Sequence, residues 1–187
     1  MIIAAVGKNA SGKDYFLKYL SDKYALPMLS IGDVARDLAT KEGLEHSREN
    51  LHYISNKYMS QYGQSFFPEQ IAKKIRESGI KNVLISGIRP LSDVMTLKKE
   101  FGDKFLLIDI VVTEDRVRYE RMQARASARD PQSYEKFMEY DKGEEELFQT
   151  SKTEAMADCI VKNDGGAEEF HAEIDRFYEE KLKALLD

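Results

Sequence analysis

The chain predicts an α/β fold, a five-stranded parallel sheet sandwiched by helices, and three observations carry that expectation. Short apolar runs alternate with longer stretches of helical spacing along the sequence. The runs are apolar throughout instead of alternating with polar residues, which suits parallel strands covered on both faces. The first run, Met1-Ile2-Ile3-Ala4-Ala5-Val6, leads straight into a glycine-rich turn and then an amphipathic segment, Tyr15 to Tyr24.

That turn is Gly7-Lys8-Asn9-Ala10-Ser11-Gly12-Lys13-Asp14, a Gly-x4-Gly-Lys pattern. Strand, glycine turn and helix in this order let successive N–H groups and the helix N-terminus converge on one anion. Lys13 is then placed to reach the β- and γ-phosphates of a nucleoside triphosphate. Asp14 stands where this pattern usually has a Ser or Thr hydroxyl for Mg²⁺. A carboxylate meets Mg²⁺ directly or through a water, so the metal shell changes without being lost.

After the turn, Phe16, Leu17, Leu20 and Tyr24 recur at helical spacing and pack a first helix onto the sheet. Residues 27–30 read as a second strand, ending in a turn at Ile31-Gly32-Asp33. Residues 33–79 follow a helical pattern, with Ser47 as N-cap of a second helix there, Pro68 opening a third and Gly79 closing it. Asn82-Val83-Leu84-Ile85-Ser86 is the third strand, with Gly87-Ile88-Arg89-Pro90 at its carboxyl end. A helix carrying Val94, Leu97 and Phe101 ends at Gly102, and residues 105–112 form the fourth strand. Asp109 interrupts that run and reads as a buried structural aspartate in preference to a catalytic one.

Residues 114–150 are charge-rich and helical, with arginines at 116, 118, 121, 125 and 129 before Glu144-Glu145-Glu146. They fall where a lid over a phosphate site would lie. Ser151-Lys152-Thr153-Glu154 has the form of a capping box. Residues 157–161, around Cys159, read as a buried fifth strand, and Asn163-Asp164-Gly165-Gly166 as a turn. A last helix follows with Phe170, Ile174, Phe177 and Leu185 inward.

Composition narrows the function classes. At 187 residues, 42% hydrophobic and 33% charged, the chain is expected to be a single domain, residues 1–187. A net charge of −5 gives no broad electrostatic footprint for nucleic acid or a membrane surface, so neither is expected as a partner. A lone cysteine cannot form an internal disulfide, no Cys/His cluster suggests zinc, and the first apolar run is too short for a signal peptide or a membrane span. A cytoplasmic location is the expectation. Tyr53, Tyr58, Tyr62, Phe66 and Phe67 fall at core-packing spacing, with stacking on an acceptor as the alternative; His46, His52 and His171 read as surface or packing residues.

In order along the chain, Gly7 to Asp14, Ser30-Ile31-Gly32-Asp33-Val34-Ala35-Arg36, Ser86-Gly87-Ile88-Arg89, the arginines from 116 to 129 and Asn163-Asp164-Gly165 resemble the P-loop nucleotide and small-molecule kinases. That group includes adenylate kinase, dephospho-CoA kinase, deoxynucleotide monophosphate kinases and phosphomevalonate kinase. The resemblance implies a P-loop NTPase fold with a helical acceptor-binding insertion at 31–80 and a lid at 114–150. It implies ATP and Mg²⁺ as cofactors and a small phosphorylated acceptor as partner, in a monomer or homodimer. Gly7, Lys8, Asn9, Ala10, Ser11, Gly12, Lys13 and Asp14 would hold ATP, and Asp33 would order Mg²⁺ waters or the acceptor. Arg36 and Arg89 would grip the acceptor's phosphate, and Arg121 and Arg125 would close over the transferring group.

Three departures from the family pattern stand out. Ile31 replaces the threonine of adenylate kinases, Ser86 replaces an aspartate many of these kinases carry at the end of the third strand, and Asp14 replaces the loop hydroxyl. The leading expectation is transfer of the γ-phosphoryl group of ATP to a nucleoside or deoxynucleoside monophosphate or to dephospho-CoA. An ATP-binding regulator with slow hydrolysis is the alternative.

Overall fold

A computed structural model describes residues 1–125, 127 and 130–186. Among these, β1 (Ile2–Val6) runs into α1 (Lys13–Tyr24), then β2 (Met28–Ser30), α2 (Ile31–Lys41), α3 (Arg48–Tyr62) and α4 (Phe66–Ser78). β3 (Val83–Ser86), α5 (Leu91–Phe101), a 3₁₀ turn and β4 (Phe105–Val111) follow. The chain continues through α6 (Asp115–Arg125), α7 (Tyr134–Phe148), α8 (Thr150–Glu154), β5 (Cys159–Lys162) and α9 (Ala167–Phe177). It closes with a π-helical turn and α10 (Lys183–Leu186).

The five strands form one parallel sheet in the order β2-β3-β1-β4-β5. All carboxyl ends therefore lie on one edge, where ligands bind in open α/β sheets. Period-2 alternation divides the core. Ile2, Ala4 and Val6 of β1 pack with Val34, Ile54, Ile71, Val94 and Leu97 on one face, while Ile3 and Ala5 pack with Phe16, Leu17, Leu20, Phe170 and Ile174 on the other. Small alanines at the middle of β1 let helices approach both faces closely.

Several local expectations are corrected. No turn separates β2 from α2; the helix starts at Ile31, directly after Ser30. Ser47 does cap α3, accepting from the Asn50 amide at 3.1 Å, but α4 begins at Phe66, two residues before Pro68. Ser151 to Glu154 is not a capping box, because those residues lie inside α8. Its N-terminal donors go instead to Glu145, whose Oε2 accepts from the Ser151 amide at 2.9 Å. β5 is an edge strand: Cys159 is half-buried and Ile160 is 65% exposed. The π-helical turn at 178–182 shifts the helix phase, so Leu182 points inward and Leu185 is exposed. The aromatics of α3 and α4 divide, Phe67 being buried while Tyr53 and Tyr62 are exposed.

Candidate active site

The site is built around the loop from Gly7 to Gly12, at the carboxyl end of β1. Gly7 has φ 137°, and a Cβ there would lie 2.5 Å from the Ile110 carbonyl oxygen and 2.7 Å from Ser11 Oγ. Gly12 is left-handed at φ 97°, and its Cβ would come within 2.4 Å of Asn163 Nδ2. Only glycine fits either position. The Asn163 amide donates to the Ser11 carbonyl at 2.8 Å, and Ser11 N donates to the Lys8 carbonyl at 3.1 Å. The loop is thus a formed backbone cradle at the N-terminus of α1, the geometry that binds phosphate.

Lys13 folds back over the loop and donates to the Lys8 carbonyl at 3.4 Å. Burial holds its ammonium below the usual lysine value, with Asp14 opposing that shift and Arg89 adding to it. Asp14 lies in the first turn of α1, within electrostatic range of Lys13 and of Arg125.

Gly7, Lys13 and Arg89 line one cleft, together with Glu144, Thr153 and Glu154. Arg89 projects from the segment after β3, donates to Glu144 Oε1 of α7 at 2.9 Å and lies over the Phe148 ring. The Thr153 hydroxyl donates to the Arg89 carbonyl at 3.0 Å. Asp33 and Arg36 stand apart from this cleft, in the first turns of α2 and paired with each other, with Nη2 and Nε donating to Asp33 Oδ1 at 2.5 and 2.9 Å.

The other arginines spread apart. Arg121 Nη2 donates to the carbonyls of Asn163 and Gly165 at 2.8 and 2.9 Å, so it tethers α6 to the β5–α9 connection. Arg125 pairs with Asp130 at 2.5 Å. Arg129 lies outside the described residues.

Sequence reasoning gave no role to Arg118 or Asn163. Arg118 is fully buried, donates to the Asn9 carbonyl at 2.9 Å, pairs with Asp115 at 2.6 Å and with Asp141, and covers the Phe137 ring. It joins the phosphate loop to α6 and α7. Within a run of surface-type charges nothing local marks it as the buried one. Asn163 was legible as part of a turn and of the Asn163-Asp164-Gly165 string that carries the resemblance, without a role.

Asp109 is buried as expected, but Oδ1 has no hydrogen-bond partner among the described residues, and burial pushes its carboxyl up to about 6. Asp93 of α5 is also buried; desolvation raises it to about 7, against the effect of the Arg89 amide that it accepts.

The fold and the cradle are those of a P-loop kinase-like α/β protein. The chain belongs to the family described as AAA domain, whose model matches residues 6–138, and to the UPF0200 proteins. It is 34% identical to a UPF0200 protein of Thermococcus kodakarensis over 99% of this chain and 100% of that one. A UPF0200 protein of Thermococcus onnurineus is 35% identical over 97% and 98% of the two chains. Among solved structures, TT1252 from Thermus thermophilus superposes with a TM-score of 0.64 at 14% identity, covering 99% of this chain and 97% of that one. Shikimate kinase from Aquifex aeolicus superposes at 0.53 and 20% identity, covering 97% and 98%. At these identities the structural neighbours share the fold.

Proposed function

We propose that this protein is an ATP-dependent phosphotransferase that moves the γ-phosphoryl group of ATP to a small phosphorylated acceptor, either a nucleoside or deoxynucleoside monophosphate or dephospho-CoA. The observation that carries this is the convergence of Gly7, Lys13 and Arg89 on one cleft at the sheet's carboxyl edge. Phosphoryl transfer asks the protein for positioning and charge neutralisation more than covalent chemistry, and a lysine and an arginine facing the same cleft supply both.

In this reading Gly7 to Lys13 hold the ATP phosphates, and Arg36 and Arg89 bind the acceptor's phosphate. Arg121 and Arg125, on the lid region 114–150, close over the transferring group, and residues 31–80 form the acceptor side. The chain acts as one domain, in the cytoplasm; no helix among the described residues is long and apolar enough to cross a membrane.

The oxygen donors Asp14 and Asp33 suit Mg²⁺, which they would hold directly or through waters beside the nucleotide phosphates. When bound, Mg²⁺ neutralises charge developing on the phosphates.

A coupled ADP-release assay with Mg-ATP and a panel of monophosphates and dephospho-CoA tests the proposal, with Lys13→Ala as control. Turnover that one acceptor stimulates and Lys13→Ala abolishes is the expected result. Nucleotide binding with no acceptor-stimulated turnover would overturn it and favour the ATP-binding regulator, a reading that the absence of a carboxylate at Ser86 supports.

A further inference from the structure

A carboxyl pair lies behind the phosphate loop, and no role described above uses it. Asp109 on β4 is in register with Val6, the last residue of β1. Glu154 ends α8 and lines the cleft with Gly7, Lys13, Arg89 and Glu144. Asp109 is only 9% exposed, and both its Oδ1 and Glu154 Oε1 are buried without a hydrogen-bond partner among the described residues. Buried carboxylate oxygens are costly unless a polar group enters beside them. The cleft has room for about 10 Å³, one water-sized group.

The charges around Glu154 come from every neighbouring element. Asp109 faces it from β4, Lys8 from the loop, Glu145 from α7 and Arg118 from α6. Lys13 feels its charge from α1, and Arg89 and Glu144 share its cleft. α5, which packs on α8, carries Asp93, which accepts from the Arg89 amide, and Lys98, which is paired with Asp158. Burial first, then the Asp109 charge, raise the Glu154 carboxyl to about 7. A carboxyl poised there is matched to proton transfer at neutral pH.

We propose that Glu154 accepts the proton of the oxygen that attacks the γ-phosphate, with Asp109 as a positioning residue behind it, so that the nucleophile is a protic oxygen, an acceptor's hydroxyl or a water. This rests on the phosphotransferase reading and narrows it to acceptors that attack through a hydroxyl. A phosphate oxygen is already deprotonated at neutral pH, and a carboxylate beside it repels it. The step balances: the attacking oxygen bonds to the γ-phosphorus, the bond from that phosphorus to the ADP oxygen breaks, ADP leaves with the electron pair, and the proton passes to Glu154 and then to solvent.

The test uses the full chain with Mg-ATP, following ADP release across a window of about pH 5.5 to 8.5 that spans both carboxyls. Three arms are run: water alone, dephospho-CoA or shikimate as hydroxyl acceptors, and AMP as a phosphate-oxygen acceptor. Wild-type turnover is expected to rise with pH through about 7. Glu154→Gln is expected to lower it about 100-fold and flatten the profile, with ATP affinity retained and a melting temperature that does not fall, since a neutral side chain relieves the cost of ionising this buried group. Asp109→Asn is expected to move the midpoint to lower pH, because the neighbouring negative charge is gone.

A wild-type profile retained in Glu154→Gln, loss of ATP binding in parallel with turnover, or stimulation by AMP alone each overturns the proposal. Glu154-dependent turnover in the water arm alone supports it while overturning the kinase reading. Turnover that needs Lys13 but not Glu154 overturns only this inference, and no wild-type turnover in any arm overturns both.

Discussion

On one side of the cleft the phosphate loop is held by buried groups: Asn163 is 7% exposed and donates to the Ser11 carbonyl, and the fully buried Arg118 donates to the Asn9 carbonyl. By contrast Arg89, which lines the cleft, and Arg36, which stands apart from it, have side chains 47% and 41% exposed, and each is paired with one carboxylate of this chain, Glu144 and Asp33. The first arrangement is fixed, because each member would be left buried and unpaired if its partner moved. The second is exchangeable, because exposed ion pairs contribute little and an incoming anion can take the carboxylate's place. A site that keeps one ligand's cradle rigid and leaves the other's arginines provisionally occupied is pre-organised for the phosphates of a nucleotide and adaptable toward the second anion.

Four changes break or sharpen that contrast, beginning with the largest effect. Arg118→Ala strands Asp141 and Asp115 and frees the Asn9 carbonyl, so it is expected to destabilise the protein by about 3 kcal/mol and to weaken ATP binding in an equilibrium titration. Gly12→Ala places a Cβ against the Asn163 amide at a left-handed φ, with an expected loss of about 2 kcal/mol in denaturant unfolding.

The third uses pH. The Asp93 carboxyl is raised from 3.8 to about 7 in the folded state, so the native protein holds a proton there that the unfolded chain has lost. Stability from this group is therefore greatest at low pH and falls as pH rises from 3.8 through about 7. Asp93→Asn is expected to remove that slope, read as a melting temperature that changes less between mildly acidic and alkaline buffer. The smallest effect belongs to Glu144→Gln. It releases Arg89 from an exposed pair, with a stability change within about 0.5 kcal/mol but tighter binding of inorganic phosphate or of the acceptor. A large loss of stability there would erase the distinction between the two sides.

The cradle was legible because its signals are contiguous. β1, the glycine spacing, Lys13 and the amphipathic start of α1 lie within two dozen residues, and their chemistry follows from local backbone geometry. The parallel sheet was legible too, since apolar runs at the spacing of βαβ units leave few topologies open. The error at Leu185 is of another kind: a single π-helical turn changes the phase of a helix, and no residue pattern announced it.

What the sequence by itself determined is the strand order's raw material, the phosphate loop and the identity of its lysine. The tertiary structure decided which of the charged residues are buried. Arg118 lies 109 positions from Asn9, Asn163 lies 152 from Ser11, and Glu154 reaches Lys13 and Asp109 only after α8 folds back onto the sheet edge. Burial, and with it the shift of a carboxyl toward neutrality, depends on what the crossovers bring together, and desolvation has no signature in the residues that undergo it.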